Sequence, residues 1–362
     1  MENIIILAIE TSCDDTCIAI LKIKNQKSKI LSNAVSSQIE IHKRYGGVYP
    51  MMAKREHQKN LPLVLKKSLE EAKINRPDYI AVTIGPGLEP CLWTGVNFAK
   101  HLAQKWNLEI IPVNHIESHI LVNFLQTTNH KLQAVLPAVC LVVSGGHTQL
   151  ILMKEIGKYK ILGETRDDAA GECFDKTARI LGLDYPGGPA VAQQADQFRQ
   201  SRKNKETSKL TIVSLLPRPM IYSKDYDFSF SGLKTAVLYK VKCPVFAKAS
   251  VDKEKQKTKK FVQMMAKEIQ QAIIDILIKK TLKAAKDYNA KTIILGGGVS
   301  ANQELRKQFK KKIQKDFSQC QFLVPEPKFS TDNAVMTAIT AYFNLSKTQS
   351  WKKIKVNANL KV

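Results

Sequence analysis

The sequence predicts an α/β protein made of two copies of one unit that face each other across a cleft, and three observations predict it. The chain has 362 residues, more than one hydrophobic core usually supports, and 44% of them are apolar, an ordinary fraction for a folded protein. A strand, a polar turn and a returning strand occur twice. A strand that enters a glycine turn and then a helix also occurs twice, each time after one of those strand pairs.

In chain order, residues 4–9 are an apolar run of the buried-strand type, cut by Glu10; 11–16 are a polar turn, and 17–23 a second strand. The figure returns as strand 138–143, the tight turn Ser144-Gly145-Gly146-His147-Thr148 and strand 149–153. Both turns hold small and hydroxyl residues where backbone N–H groups would face outward, the chemistry of a phosphate cradle. Strand 79–84 then meets Gly85-Pro86-Gly87 and a helix over 93–106; its counterpart is strand 292–295, Gly296-Gly297-Gly298 and a helix over 301–309. Last come strand 109–113 with a helix starting near His115, and strand 321–324 with a helix over 332–344. The pattern divides the chain into a first lobe over 1–134, a second lobe over 135–348 whose last helix, 332–344, brings Asp332 to the cleft, and a tail over 349–362.

The formal charge is +24, which fits a polyanionic partner because neutralising phosphates releases counterions. Few of the 56 basic residues are Arg, which fits drift towards Lys instead. Many lysines fall in three runs, at 202–205, 253–260 and 306–315; the first two lack apolar periodicity and are expected to be solvated loops. The longest apolar runs, 4–9 and 134–143, are far shorter than the roughly 20 residues of a membrane span. Met1-Glu2-Asn3 lacks the basic flank of a signal peptide, so a cytoplasmic protein without a membrane partner is expected. Seven cysteines without a close CxxC pair fit a reducing compartment. Cys13 and Cys17 would share a metal only on a helix; flanking a turn between strands, they are expected to be packing or turn residues.

His115 and His119 are four apart, which on a helix puts both imidazoles on one face, where they can share a metal. Two surface histidines would show the same spacing. The duplication adds Asp332, which opens the helix corresponding to the one that carries the histidines, so pseudo-symmetry would bring its carboxylate across the cleft. Two His and one carboxylate leave coordination positions open and suit Fe(II), the first expectation, or catalytic Zn. Asp332 also fits a helix N-cap after Ser330-Thr331. The stretch from Gly296 to Asn302 reads alone as a tight turn; beside two cradle-like turns it points to a nucleotide held between the halves. No GxxxxGK[ST] occurs, so the site is not a P-loop. Residues 165–189 mix charges with glycines and small residues that let a backbone approach a ligand closely.

The segments Ile9-Glu10-Thr11-Ser12-Cys13-Asp14-Asp15-Thr16, His115-Ile116-Glu117-Ser118-His119, Val143-Ser144-Gly145-Gly146-His147-Thr148, Asp167-Asp168-Ala169-Ala170-Gly171-Glu172, Phe228-Ser229-Phe230-Ser231-Gly232-Leu233-Lys234 and Gly296-Gly297-Gly298-Val299-Ser300-Ala301-Asn302 resemble, in order, the tRNA N6-adenosine threonylcarbamoyltransferase family. That family was formerly described as O-sialoglycoprotein endopeptidase. The resemblance implies the two-lobed, duplicated RNase H-like fold of the actin, hexokinase and Hsp70 (ASKHA) group. It implies transfer of a threonylcarbamoyl group from threonylcarbamoyl-AMP to N6 of adenosine 37 in tRNAs that read codons beginning with A, releasing AMP. It implies one divalent metal on His115, His119 and Asp332, a substrate lined by Val143, Ser144, Gly145, Gly146 and His147, and a nucleotide part contacted by Asp175, Gly188 and Asn302. The implied partners are tRNA, threonylcarbamoyl-AMP, an inactive paralogous subunit and a small P-loop ATPase. No residue is assigned as a covalent nucleophile. Two departures stand out: segment 197–215 is longer and richer in Lys than the family pattern, and Ala192 replaces an acidic residue some relatives carry, which touches one ribose contact.

Three rivals are weaker. A metallopeptidase of the zincin kind needs Glu directly after the first His, where Ile116 stands; Glu117 comes one later, about 100° further around a helix. A small-molecule kinase of the same fold is not expected to carry two His and one Asp, and a non-catalytic paralogue should have lost them.

Overall fold

The computed structural model describes residues 3–125, 135–203, 216–242 and 251–362. Two five-stranded sheets share one strand order. The first holds β1 (Asn3–Glu10), β2 (Asp15–Lys24), β3 (Lys27–Ser37), β4 (Tyr79–Gly85) and β5 (Ile110–Asn114) in the order β3-β2-β1-β4-β5. The second holds β6 (Ala138–Val143), β7 (Thr148–Glu155), β8 (Lys158–Glu164), β9 (Thr292–Gly296) and β10 (Gln321–Leu323) in the order β10-β9-β6-β7-β8. In each, three antiparallel strands are followed by two that run parallel to the first. The duplicated α/β fold expected from the sequence is present, with edge strands β3 and β8 as an addition. Their lysines and serines had hidden the strand pattern, since an edge strand need not be apolar on both faces.

The described helices are α1 (Ile39–Lys43), α2 (Pro50–Ala72), α3 (Glu89–Trp106), α4 (His115–Leu121), α5 (Ala170–Ile180), α6 (Gly187–Lys203), α7 (Ser231–Lys242), α8 (Val251–Asp287), α9 (Gln303–Asp316) and α10 (Ala334–Phe343). Continuous apolar strands need cover on both faces. On the outer face of the first sheet, Leu7 and Ile9 of β1 meet Leu61 and Val64 of α2 and Val96 and Ala99 of α3. On the outer face of the second, Val139 and Leu141 of β6 join a core with α5 to α9, among them Phe174, Ile273 and Phe309.

The inner faces are covered by an exchange. Helix α4 follows the last strand of the first sheet, yet Ile116, Ile120 and Leu121 pack with Cys140, Val142, Ile151 and Ile294 of the second. Helix α10 follows the last strand of the second sheet, yet Ala334, Val335, Ala338 and Ile339 pack with Ile6, Ala8, Cys17 and Ile111 of the first. The two exchanged helices touch. The sequence expectation gave 332–344 to the second lobe; the fold seats it on the first sheet, because residues 334–341 are all buried and need apolar partners on every side. The tail also returns to the first half, where Gln349 pairs with Ile110 through two backbone hydrogen bonds of 3.0 Å and Ile354 joins the core under α3.

The lysine run 253–260 is helical, not a loop: it forms the first turns of α8. Lys, Gln and Glu are good helix formers, and they extend a helix anchored by Met265, Ile269, Ile273 and Leu277. The run 306–315 lies in α9, above a buried stripe of Leu305, Phe309 and Ile313. Of 202–205, Arg202 and Lys203 end α6, and the other two lie outside the described residues, as does most of 197–215. Among the described residues, no helix is long and apolar enough to cross a membrane.

Candidate metal and substrate site between the halves

Strand β5 ends at Asn114, whose side chain accepts the N–H groups of Ile116 (2.8 Å) and Glu117 (3.1 Å) and so starts α4 at His115. One helical turn then places the His115 and His119 rings 4.6 Å apart, nearly perpendicular. The N-cap of α10 is Asn333, not Asp332: Asn333 Oδ1 accepts from Met336 N–H at 3.1 Å, and Nδ2 donates to the Thr331 carbonyl at 2.8 Å. The helix therefore begins two residues later than the sequence suggested, and the Asp332 carboxylate is free to cross to the histidines. Asp332 Oδ1 lies 3.3 Å from His119 Nε2 and 3.6 Å from His115 Nε2. One ligand atom from each residue falls within 4.8 Å of the others.

These residues fit a divalent metal. Both imidazoles are buried, and apart from the Asp332 carboxylate 3.3 Å from Nε2, neither ring nitrogen of His119 has a polar partner among the described residues. Leaving a buried polar group unpaired costs about 1–3 kcal/mol, a cost that a cation at Nε2 would offset. Two imidazoles and a carboxylate match Fe(II) or Zn with open positions. Cys13 and Cys17 stay out of the group, as expected for packing and turn residues: Cys17 is in the core, and burial pushes both thiols well up.

Sequence reasoning missed the role of Glu10. It ends β1 fully buried, with Oε2 3.2 Å from His115 Nδ1 and accepting from Thr83 Oγ1 at 2.6 Å, while Oε1 accepts from Ser12 N–H at 2.6 Å. Ser12 Oγ adds a second contact to His115 Nδ1 at 3.1 Å. A carboxylate on one imidazole nitrogen orients the other towards a metal. Burial works against the charged form of His115, but Glu10 and Asp332 outweigh it and hold the imidazole up at about 9. Burial would also raise Asp332, which His115 and His119 hold down at about 2. His119 moves the other way, lowered by burial. The one available signal was a lone acid closing an apolar strand. Glu117, by contrast, is turned aside: it accepts from Tyr159 Oη (2.9 Å) and Asn344 Nδ2 (3.2 Å), and supplies no peptidase base.

The turn between β6 and β7 adjoins this group. Ser144 N–H donates to the His147 carbonyl at 2.7 Å and His147 N–H to Ser144 Oγ at 3.1 Å, leaving Gly145 and Gly146 as an exposed tip. His147 is lowered to about 4, by burial first and then by the nearby charges of His115 and His119. Gly171 N–H docks the start of α5 on the Ser144 carbonyl at 3.1 Å. The second glycine turn closes on the same place: a Cβ on Gly297, whose φ is +83°, would strike the Val143 carbonyl, and one on Gly296 the His119 carbonyl. Asn302 caps α9, its Oδ1 accepting from Leu305 N–H at 3.0 Å, which leaves its amide nitrogen for a ligand. Asp175 Oδ1 accepts from Gly187 N–H at 2.7 Å beside Gly188, which has open space around it. Burial raises Asp175 to about 6, and Lys43 to Gly46 of the first half line the same cavity as Asp175. The structure thus gathers His115, His119 and Asp332, brings the second glycine turn against His119 and Val143, and places Asp175 on α5, Gly188 on α6 and Asn302 at the cap of α9.

Fold and site together define a two-lobed, duplicated α/β protein of the ASKHA kind, with the His115, His119 and Asp332 group where the halves exchange helices. A family model described as tRNA N6-adenosine threonylcarbamoyltransferase matches residues 29–339. A relative of that description from Thermosipho africanus is 47% identical over 340 residues, 93% of this chain and 93% of its own. Another, from Syntrophomonas wolfei, is 41% identical over 360 residues, 99% of this chain and 97% of its own. Among solved structures, full-length HypF in its phosphate- and nucleotide-bound form is 12% identical with a TM-score of 0.47, covering 94% of this chain and 46% of that one. YeaZ from Pseudomonas aeruginosa is 14% identical with a TM-score of 0.30, covering 43% and 63%. The chain belongs to the tRNA N6-adenosine threonylcarbamoyltransferase family, and it is a transferase whose substrate is tRNA.

Proposed function

We propose that this enzyme moves the threonylcarbamoyl group of threonylcarbamoyl-AMP to N6 of adenosine 37 in tRNAs that read codons beginning with A, releasing AMP. The adenine amine is a weak nucleophile because its lone pair is delocalised into the ring, so rate must come from placement and from stabilising charge on the carbonyl. In this reading Glu10 fixes the His115 ring, and His115, His119 and Asp332 hold one divalent metal, Fe(II) first and Zn second. The metal would supply Lewis-acid polarisation of an oxygen of the adenylate. Val143 and Ser144 to His147 line the acyl group, with the N–H groups of Gly145 and Gly146 at the open tip of their turn facing the developing negative charge. The amide of Asn302, the carboxylate of Asp175 and the backbone of Gly188 receive the nucleotide part. No side chain becomes covalently attached to substrate.

The observation that carries this reading is the meeting of two buried histidines from one half with one carboxylate from the other, Asp332 Oδ1 lying 3.3 Å from His119 Nε2. The family resemblance adds a cytoplasmic setting, an inactive paralogous subunit and a small P-loop ATPase as partners. Depleting the protein and measuring tRNA nucleosides by mass spectrometry tests the function: threonylcarbamoyladenosine should disappear. Its persistence at the undepleted level would overturn the proposal.

A further inference from the structure

We propose that Arg306 is a positioning residue that links the glycine turn at Gly296 to Asn302 with the loop carrying Asp332, so that nucleotide and metal bind with positive cooperativity. The inference rests on the reading above, in which the turn receives the nucleotide and Asp332 the metal. Arg306 lies one turn into α9, where its N–H donates to the Asn302 carbonyl at 3.1 Å. Its guanidinium reaches in two directions: Nε donates to the Ser300 carbonyl at 2.6 Å, and Nη2 to Ser330 Oγ at 2.7 Å. Ser300 and Ser330 are both buried.

Each end of this link is tied to chemistry already described. At the turn, Gly296 and Gly297 press against the carbonyls of His119 and Val143, so the turn cannot shift without disturbing a metal ligand and the substrate turn. At the loop, only Thr331 separates Ser330 from Asp332, and Asn333 Nδ2 grips the Thr331 carbonyl at 2.8 Å and the Phe329 carbonyl at 3.3 Å. The path from Ser300 to Asp332 is therefore short: two hydrogen bonds through Arg306 to Ser330, then two residues of backbone that Asn333 holds in place.

The choice of residue supports the role. Arg306 is half-buried, which lowers its pKa, and among the described residues no carboxylate forms an ion pair with it. An arginine kept for an ion pair would face an acid. Here a planar fork spans two neutral acceptors that a lysine ammonium, with one point of charge, would not hold in fixed geometry. Coupling of this kind must be reciprocal: whatever factor one ligand adds to the other's affinity is returned.

The test is calorimetric titration of the full-length, metal-free protein with Zn2+, with and without saturating AMP, and with AMP at saturating Zn2+. In the wild type AMP should tighten Zn2+ binding by about tenfold, with the same factor in reverse. In Arg306→Gln each ligand should still bind alone while the factor falls towards one. Ser330→Ala, which leaves the guanidinium in place, should lose the factor too, and the double variant should lose no more than either single one. Arg306→Lys keeps the charge without the fork and should behave like Arg306→Gln. A merely structural Arg306 would lower the melting temperature and leave the factor intact, and that result overturns the proposal. So does a wild type that binds both ligands independently. A wild type that binds Zn2+ but no AMP refutes instead the assignment of the nucleotide to the turn, and the inference falls with it.

Discussion

The two sheets share strand order, strand directions and the sequence of turn and helix, yet the segments leaving their fifth strands do different work. Strand β5 runs straight into α4 and delivers two imidazoles from a helix face. Strand β10 is followed by a short 3-10 turn and a loop before α10, and it is the loop that delivers a single carboxylate. The first strands differ in the same spirit: β1 ends in buried Glu10, paired with Cys17, where β6 ends in Val143, paired with Thr148. An acid at one strand end supports His115; an apolar residue at the other leaves its turn to backbone donors. What the halves keep in common is the seat of the glycine turn, since Gly87 presses on the Ser12 carbonyl as Gly297 presses on that of Val143. Duplication supplies the positions, and a few strand-end residues divide the chemistry between metal and substrate.

The largest effects should come from the half that carries the imidazoles. His115→Ala and His119→Ala should each lose bound metal and lower transfer more than about 100-fold, beyond the range of outer-shell changes. Circular dichroism should stay native, because α4 is held by Ile116, Ile120 and Leu121. Elemental analysis checks the first point, and full occupancy in both variants would contradict the site.

Glu10→Gln asks whether the strand-end acid matters to that half, and should weaken metal binding about 10- to 100-fold. It also has a pH signature in the metal-free protein. His115 is held near 9 when folded, above the unfolded value of about 6.5. Its contribution is therefore fully present below pH 6.5 and disappears as pH rises through 9. Urea midpoints of the wild type should fall across that window and those of Glu10→Gln should fall less. Equal slopes would remove Glu10 from the account.

Gly87→Ala and Gly297→Ala probe what the halves retain. Each glycine has positive φ and no room for a Cβ against its own half's turn, so each variant should be destabilised by about 1–3 kcal/mol in thermal melts. Gly145→Ala, in open space, should change stability by less than about 0.5 kcal/mol. A large effect only in Gly145→Ala would mean that the turns are seated differently.

The smallest effect separates capping from recognition at Asn302. Asn302→Ala removes the cap of α9 and should cost about 1 kcal/mol, whereas Asn302→Asp keeps an accepting oxygen and should not. If the amide reaches the nucleotide, both should lose AMP affinity by about tenfold, the worth of one hydrogen bond. Unchanged AMP binding in Asn302→Asp would leave Asn302 as a cap alone.

The central strands were legible in the sequence because strands buried on both faces are written as unbroken apolar runs. The His115 and His119 pair was legible because a helical offset of four survives without tertiary knowledge. Asp332 came from the duplication, but its neighbour Asn333 took the cap, a choice between adjacent residues that only packing of α10 decides. Glu10 was unreadable as a ligand support because its partner lies 105 positions away. The reciprocal exchange of α4 and α10 was likewise hidden: both helices are short, and nothing in a local pattern says which sheet an apolar helix will cover. The lysines of 253–260 misled for the opposite reason, since a polar helix end has no apolar period to read.

The most direct test of the account is Asp332→Ala, the one ligand that the second half contributes. Single-turnover transfer from threonylcarbamoyl-AMP to unmodified tRNA, with any partner subunits the activity requires supplied equally, should be compared with the wild type. The variant should fold, should bind AMP as metal-free wild type does, and should form no threonylcarbamoyladenosine. Transfer at the wild-type rate would show that the meeting of the two halves at His115, His119 and Asp332 has no part in the reaction, and the mechanism would have to be given up.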